Sequence, residues 1–92
     1  MKPTNINAVL KMIRMYLEGK ISRIDLGLDF PDELEKRYKK MCSEDWEYAE
    51  LIYDRILEDG IYRGDDLSDK DFKALINRQY KDVLDIASEG FL

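Results

Sequence analysis

The sequence predicts an all-α protein, a small antiparallel bundle of about four helices with one of them short or irregular, forming a single helical domain over residues 1 to 92. Three observations carry this expectation. Apolar residues recur at three- and four-residue spacing in several separate stretches. Glycines, serines and a proline stand where helices stop and start. No two segments offer convincing strands that could pair with each other.

The first stretch, NINAVLKMIRMYLEGK, sets Ile6, Val9, Leu10, Ile13, Tyr16 and Leu17 on one helical face. Asn5 is its expected N-cap and Gly19 its C-terminal stop. In ISRIDLGLDF, Ser22 and Asp25 have capping-box spacing, with Asp a shorter stand-in for Glu or Gln. Ile24, Leu26, Leu28 and Phe30 alternate there, which admits a strand. A short helix is preferred, because Gly27 and two aspartates fit a strand poorly and no partner strand exists.

Pro31 is expected to open the following helix at its first position, where its missing N–H is harmless. Leu34, Tyr38 and Met41 form its apolar stripe. Ser43 is the expected cap of the next helix, with Trp46, Ala49, Tyr53, Ile56 and Leu57 along one face and Gly60 as the stop. After a loop of about seven residues, Ser68 and Asp71 offer a second capping-box spacing. The closing helix presents Phe72, Leu75, Ile76, Gln79, Val83 and Ile86 on one side and ends at Gly90.

Composition narrows the function classes. A chain of 92 residues has one modest core and little hydrophobic material to line a deep pocket. Without histidine it lacks the commonest general base and zinc ligand, and a single cysteine, Cys42, builds neither a disulfide nor a thiolate metal site. There is no phosphate-cradling glycine motif, so an enzyme is not expected, and neither is a cofactor. No apolar run is long enough for a membrane span and no signal peptide is evident, so the expected location is the cytoplasm.

The formal net charge of −5 disfavours nucleic acid and anionic lipid as partners. Its distribution is uneven: residues 44 to 71 hold eleven acidic and three basic side chains, whereas residues 1 to 43 hold six and nine. The excess centres on ILEDGIYRGDDLSDKD. Calcium is a poor account of that stretch. If Asp59 opened an EF-hand loop, Gly64 would fall correctly at its glycine position, but Ile61, Arg63 and Lys70 would stand where ligands are needed. Helix capping explains Asp69 and Asp71, which lie where a helix dipole favours anions.

Glu58, Asp59, Asp65 and Asp66 have no such local explanation. They are either a solvated acidic surface or one half of a charge-complementary interface. Trp46, Tyr48, Tyr53 and Tyr62 lie within or beside the acidic region. Core packing is the expected role of Trp46 and Tyr53, while Tyr62, in the loop, joins the four carboxylates as a candidate partner-binding residue.

Tyr16, Leu17, Gly19, Lys20, Ile21 and Ser22, continuing to Asp29 and Phe30 and followed by an aromatic, acidic middle helix and an acidic loop, carry a resemblance. Over roughly residues 6 to 87 the chain resembles the immunity proteins related to that of colicin D, the bacterial self-protective colicin-like immunity family. The resemblance implies a four-helix-type bundle that binds the nuclease domain of a cognate toxin, in that family a transfer-RNA anticodon-loop nuclease. It implies that carboxylates imitating RNA phosphates block a basic active-site cleft. The family's inhibitory acids lie at the end of a middle helix and in the loop after it, the region of Glu58, Asp59, Asp65 and Asp66 here. The loop spacing after Gly60 does not register one for one with the family pattern. The competing class is a helical structural or regulatory interaction module, a homodimer for instance, whose acidity serves only solubility.

Overall fold

Helix α1, Thr4–Leu17, buries Ile6, Val9, Leu10, Ile13 and Tyr16, the face expected from the apolar spacing. The structure is a computed structural model and describes residues 3–89. Gly19 ends α1 in the left-handed region at φ 79°, where a residue with a Cβ is strained. Its N–H donates to the Tyr16 carbonyl at 3.0 Å and that of Lys20 to Met15 at 2.8 Å, which satisfies two of the carbonyls left open at the helix end.

Asn5 is not the cap of α1. The helix starts one residue earlier, so Asn5 lies in the first turn, and Pro3 at the boundary supplies no side-chain acceptor. The acceptor comes from far along the chain. The Glu44 carboxylate takes the backbone N–H groups of Asn5 and Ile6, at 2.8 and 3.0 Å, and the Asn5 side-chain amide at 2.8 Å. Arg37 completes the joint by donating to Asn5 Oδ1 at 2.8 Å and to Glu33 at 2.9 Å.

Helix α2, Arg23–Ile52, begins at Ser22, whose hydroxyl accepts the Asp25 N–H at 3.0 Å as its spacing predicts. The alternation in ISRIDLGLDF is two helical pairs. Leu26 and Phe30, four residues apart, are buried, while Ile24 and Leu28, also four apart, face solvent. Pro31 lies inside α2 and does not open a new helix. It leaves the Gly27 carbonyl without its usual donor, and Gly27 is exposed, so water can take that bond. The continuous stripe of Leu26, Phe30, Leu34 and Met41 offsets the loss by packing against α1.

The chain bends at Asp45, whose φ of −166° and ψ of 98° are extended. Asp45, and not Ser43, caps the helix beyond the bend: its carboxylate accepts the Tyr48 N–H at 3.1 Å, while the Ser43 hydroxyl donates back to the Lys39 carbonyl. The break points Glu44 at α1 and makes two arms of α2, so the described residues form three helices, the second bent at Asp45 and continued by a π segment, where about four separate helices are expected from the sequence. It also restarts the helix with Ala49 and Ile52 inward. Trp46 is therefore 60% exposed and Tyr53 flanks the core at 37%, against the expectation that both are buried.

From Tyr53 to Tyr62 the helix widens into π turns and runs past Gly60. The apolar spacing demands this. At about 100° per residue, nine α-helical residues would put Ile61 opposite Ile52. In the wider turn Ile52, Ile56, Leu57 and Ile61 are all buried. Gly60 is not a stop but a contact point, since a Cβ there would lie 3.1 Å from Ile76 Cδ1 of the last helix. At Gly64 a Cβ would meet the Gly60 carbonyl at 2.9 Å, Leu75 Cδ2 at 2.9 Å and Phe72 Cδ1 at 3.0 Å.

Helix α3, Asp69–Glu89, is capped by the Ser68 hydroxyl, which accepts the Asp71 N–H at 3.2 Å. It buries Phe72, Leu75, Ile76 and Val83, mainly against the π segment. Gln79 shares this face, and its buried Oε1 has no hydrogen-bond partner among the described residues. The stop expected at Gly90 lies outside the described residues.

Two outcomes check these packing arguments. Gly64→Ala is expected to destabilise the fold by about 1–3 kcal/mol, whereas Gly27→Ala, with open space around its Cβ, is expected to stabilise it by about 0.5–1 kcal/mol, both read by urea denaturation. Glu44 supplies the second. Partial burial opposes its ionisation, but the Asn5 and Ile6 N–H groups, the Asn5 amide and the Arg37 charge outweigh this and hold its carboxyl below the usual range. A depressed folded pKa means that the unfolded chain binds more protons. The stabilisation is thus complete above the ordinary carboxylate value, about 4.3, and is lost as pH falls through the depressed one. Glu44→Ala is expected to cost about 1–2 kcal/mol at neutral pH and to flatten the acid limb of a stability-versus-pH curve.

Candidate protein-binding surface

The acidic loop, residues 63–68, starts where the π segment ends and is bound to it by its own backbone. The N–H of Arg63 donates to Glu58 at 3.1 Å, that of Gly64 to Gly60 at 2.9 Å and that of Asp65 to Tyr62 at 3.3 Å. Arg23, from the start of α2, fixes the other side. Its guanidinium donates to the carbonyls of Gly64 and Asp65, at 3.3 and 3.1 Å, and to the Asp69 carboxylate at 2.9 Å. It also lies 4.2 Å over the Phe72 ring, which meets Tyr16 edge to face at 5.9 Å. Burial raises the Tyr16 phenol pKa, with the Arg23 charge opposing and Asp69 adding, so the ring packs here as a neutral group.

Because Arg23 is occupied by carbonyls and by Asp69, it does not neutralise the side chains of the loop. Glu58, Asp65 and Asp66 are exposed, and among the described residues their carboxylates have no hydrogen-bond or ion-pair partner. Asp59 meets Arg63 at 3.7 Å, one turn on. Both side chains of that pair are largely solvated, and such pairs contribute little. No group of three or more acidic, Cys or His side chains among the described residues is disposed to hold a metal ion.

Tyr62 is 53% exposed and lies on a groove of about 610 Å³ between the first arm of α2 and the π segment. Leu28, Pro31, Leu34, Tyr38, Tyr53 and Leu57 form its apolar walls, and Asp32 and Glu35 its acidic edge. A second concavity of about 430 Å³ shares Leu28 with the first and adds Ile24, Ile61, Asp65 and Asp69. Of the five residues singled out from the sequence, the structure sets Tyr62 and Asp65 on this concave surface. Glu58, Asp59 and Asp66 belong to the same helix end and loop but line neither concavity.

Sequence reasoning missed Arg23, Ile24 and Leu28. The two apolar residues were recoverable, because four-residue spacing puts them on one helix face opposite Leu26 and Phe30. Arg23 was not, since its partners lie 41 to 46 residues away. Comparison of the chain with family models, with curated proteins and with solved structures gave no match. The surface itself must therefore carry the functional reading.

Replacing Arg23 by Ala removes three hydrogen bonds donated by one guanidinium, on a side chain that is 24% exposed. The expected cost is about 1–2 kcal/mol, below that of a fully buried charged hydrogen-bond set. Amide hydrogen exchange is expected to speed up in residues 63–68 while the α1 core stays protected. Uniform loss of protection would show that Arg23 supports the whole fold and not the loop.

Proposed function

We propose that this protein is a non-catalytic inhibitor, an immunity-type protein that covers the basic active-site cleft of a cognate toxin nuclease with its acidic surface. One observation carries the reading: Glu58, Asp65 and Asp66 stand exposed, and without an ion-pair or hydrogen-bond partner among the described residues, on a backbone fixed by Arg23 and the π turns. A backbone held in place before binding loses little further conformational freedom when a partner arrives, so that only the side chains remain to be ordered. They attract a basic partner at long range, and once desolvated against Arg or Lys they add to its residence time. The resemblance to the colicin D immunity proteins supports the same reading and extends it to a transfer-RNA nuclease as the partner. Among the described residues no helix is long and apolar enough to cross a membrane.

A second reading, a self-associating helical module, is favoured by the exposure of Ile24, Leu28 and Trp46. The two differ in their response to salt. Capture of a basic nuclease domain slows steeply as salt rises, whereas apolar self-association does not.

The test needs a purified basic nuclease domain, and the genes neighbouring this chain's own are where a cognate one is to be sought. Changing Glu58→Gln, Asp59→Asn, Asp65→Asn and Asp66→Asn together is expected to leave the circular dichroism unchanged and to weaken the complex by several orders of magnitude. Each desolvated carboxylate contributes about 2 to 5 kcal/mol on truncation. Unaltered affinity in the fourfold variant would refute the acidic-surface assignment.

A further inference from the structure

We infer that the groove between the first arm of α2 and the π segment is the anchoring site for a basic amphipathic helix of the partner protein. This inference rests on the inhibitor reading and names what the acidic loop delivers its partner to.

Ile24 and Leu28 are 73% and 69% exposed, on consecutive turns of one helix face, and the described residues leave them largely uncovered, with Leu28 on the groove and Ile24 on the concavity that adjoins it. Across the groove stand Tyr53 and Tyr62, at 37% and 53%. Rigid aromatic walls facing aliphatic side chains form a surface that releases water when an apolar group enters. Two helical ridges with a trough between them offer the kind of surface on which a third helix packs. From Ile24 to Glu35 the α2 ridge runs for about 16 Å, three helical turns, which matches anchors spaced i, i+3 or i+4, and i+7 on a partner helix.

Charge selects the occupant. Asp32, Glu35, Asp65 and Asp69 line the two concavities, with Arg23 the guanidinium among their lining residues. Arg23 is already engaged by Asp69 and the loop carbonyls, and Lys36 answers Asp32 at 2.9 Å. Glu35 and Asp65 have no cation partner among the described residues. A second copy of this chain would bring the same acids against themselves, a costly juxtaposition. A helix with lysines and arginines beside its apolar anchors meets both the walls and the rim.

Two synthetic helical peptides of about three turns test this: one with leucines at i, i+3, i+4 and i+7 flanked by Lys and Arg, the other with those leucines changed to Ser at equal charge. Titrated into the full isotope-labelled chain, the leucine peptide is expected to shift the amides of Ile24, Leu28, Tyr53 and Tyr62. It should bind at least ten times more tightly than the serine peptide. The double variant Ile24→Ser, Leu28→Ser, at exposed positions that leave the fold intact, is expected to weaken it about ten- to a hundredfold. Unchanged affinity in that variant overturns the groove as anchor, as does binding by neither peptide at millimolar concentration, shifts confined to other faces, or self-association that buries the groove in the free chain. The fourfold acidic variant separates this from the inhibitor reading. If it keeps full affinity while the serine variant loses it, the groove stands and the acidic reading falls; if it alone loses affinity, the groove falls and the acidic reading stands.

Discussion

The guanidinium of Arg23 is the constraint on which the arrangement of the surface depends. One planar group takes two loop carbonyls, one carboxylate and one aromatic face, and so ties the start of α2 to the acidic loop and to the first turn of α3. Its planar fork of donors suits this task in a way that a lysine ammonium would not. The consequence for function is indirect. Because Arg23 binds the loop through its backbone, the loop is ordered without its side-chain charge being cancelled, and Asp65 and Asp66 remain available to another molecule.

A second long-range contact plays the matching part at the other end of the core. Glu44 is released from the helical path by the extended backbone at Asp45 and caps α1 across 38 to 39 residues of sequence. The bend thus performs two functions, turning α2 back on itself and supplying the acceptor that the start of α1 lacks. Between these joints Gly60 and Gly64 let the π segment and its loop approach α3 closely, with Gly64 accepting three neighbours where a Cβ would collide. The two glycines among the acids are therefore explained by packing, and the acids by what packing leaves exposed.

The same geometry relates the two parts of the proposed interface. The acidic loop is the continuation of the helix that forms one wall of the apolar groove, so Tyr62 and Asp65 are neighbours joined by a backbone hydrogen bond. Long-range attraction and short-range anchoring then come from adjoining residues. Apolar contacts supply what exposed charges alone supply poorly at physiological salt, where attraction is largely screened beyond about 8 Å.

The all-helical class, the faces of α1 and α3, the Gly19 stop and the Ser22 and Ser68 caps were legible in the sequence, because each depends on residues within one or two turns. So was the isolation of Glu58, Asp59, Asp65 and Asp66 from any local capping role. Other assignments failed where distant parts of the chain compete with local preference. Asn5 lost its capping role to Glu44, Ser43 to Asp45, and Pro31 was absorbed into a helix that packing holds together through it. Gly60 reads as a stop under α-helical spacing and as a contact point once the turn widens to keep Ile52 and Ile61 on one side. Which apolar residues stay outside, and which cation is consumed inside, depend on how separate elements meet. The sequence by itself determined the charges and the helices; only the tertiary structure decided that Arg23 is occupied, that Ile24 and Leu28 are left uncovered, and that both border the same acidic loop.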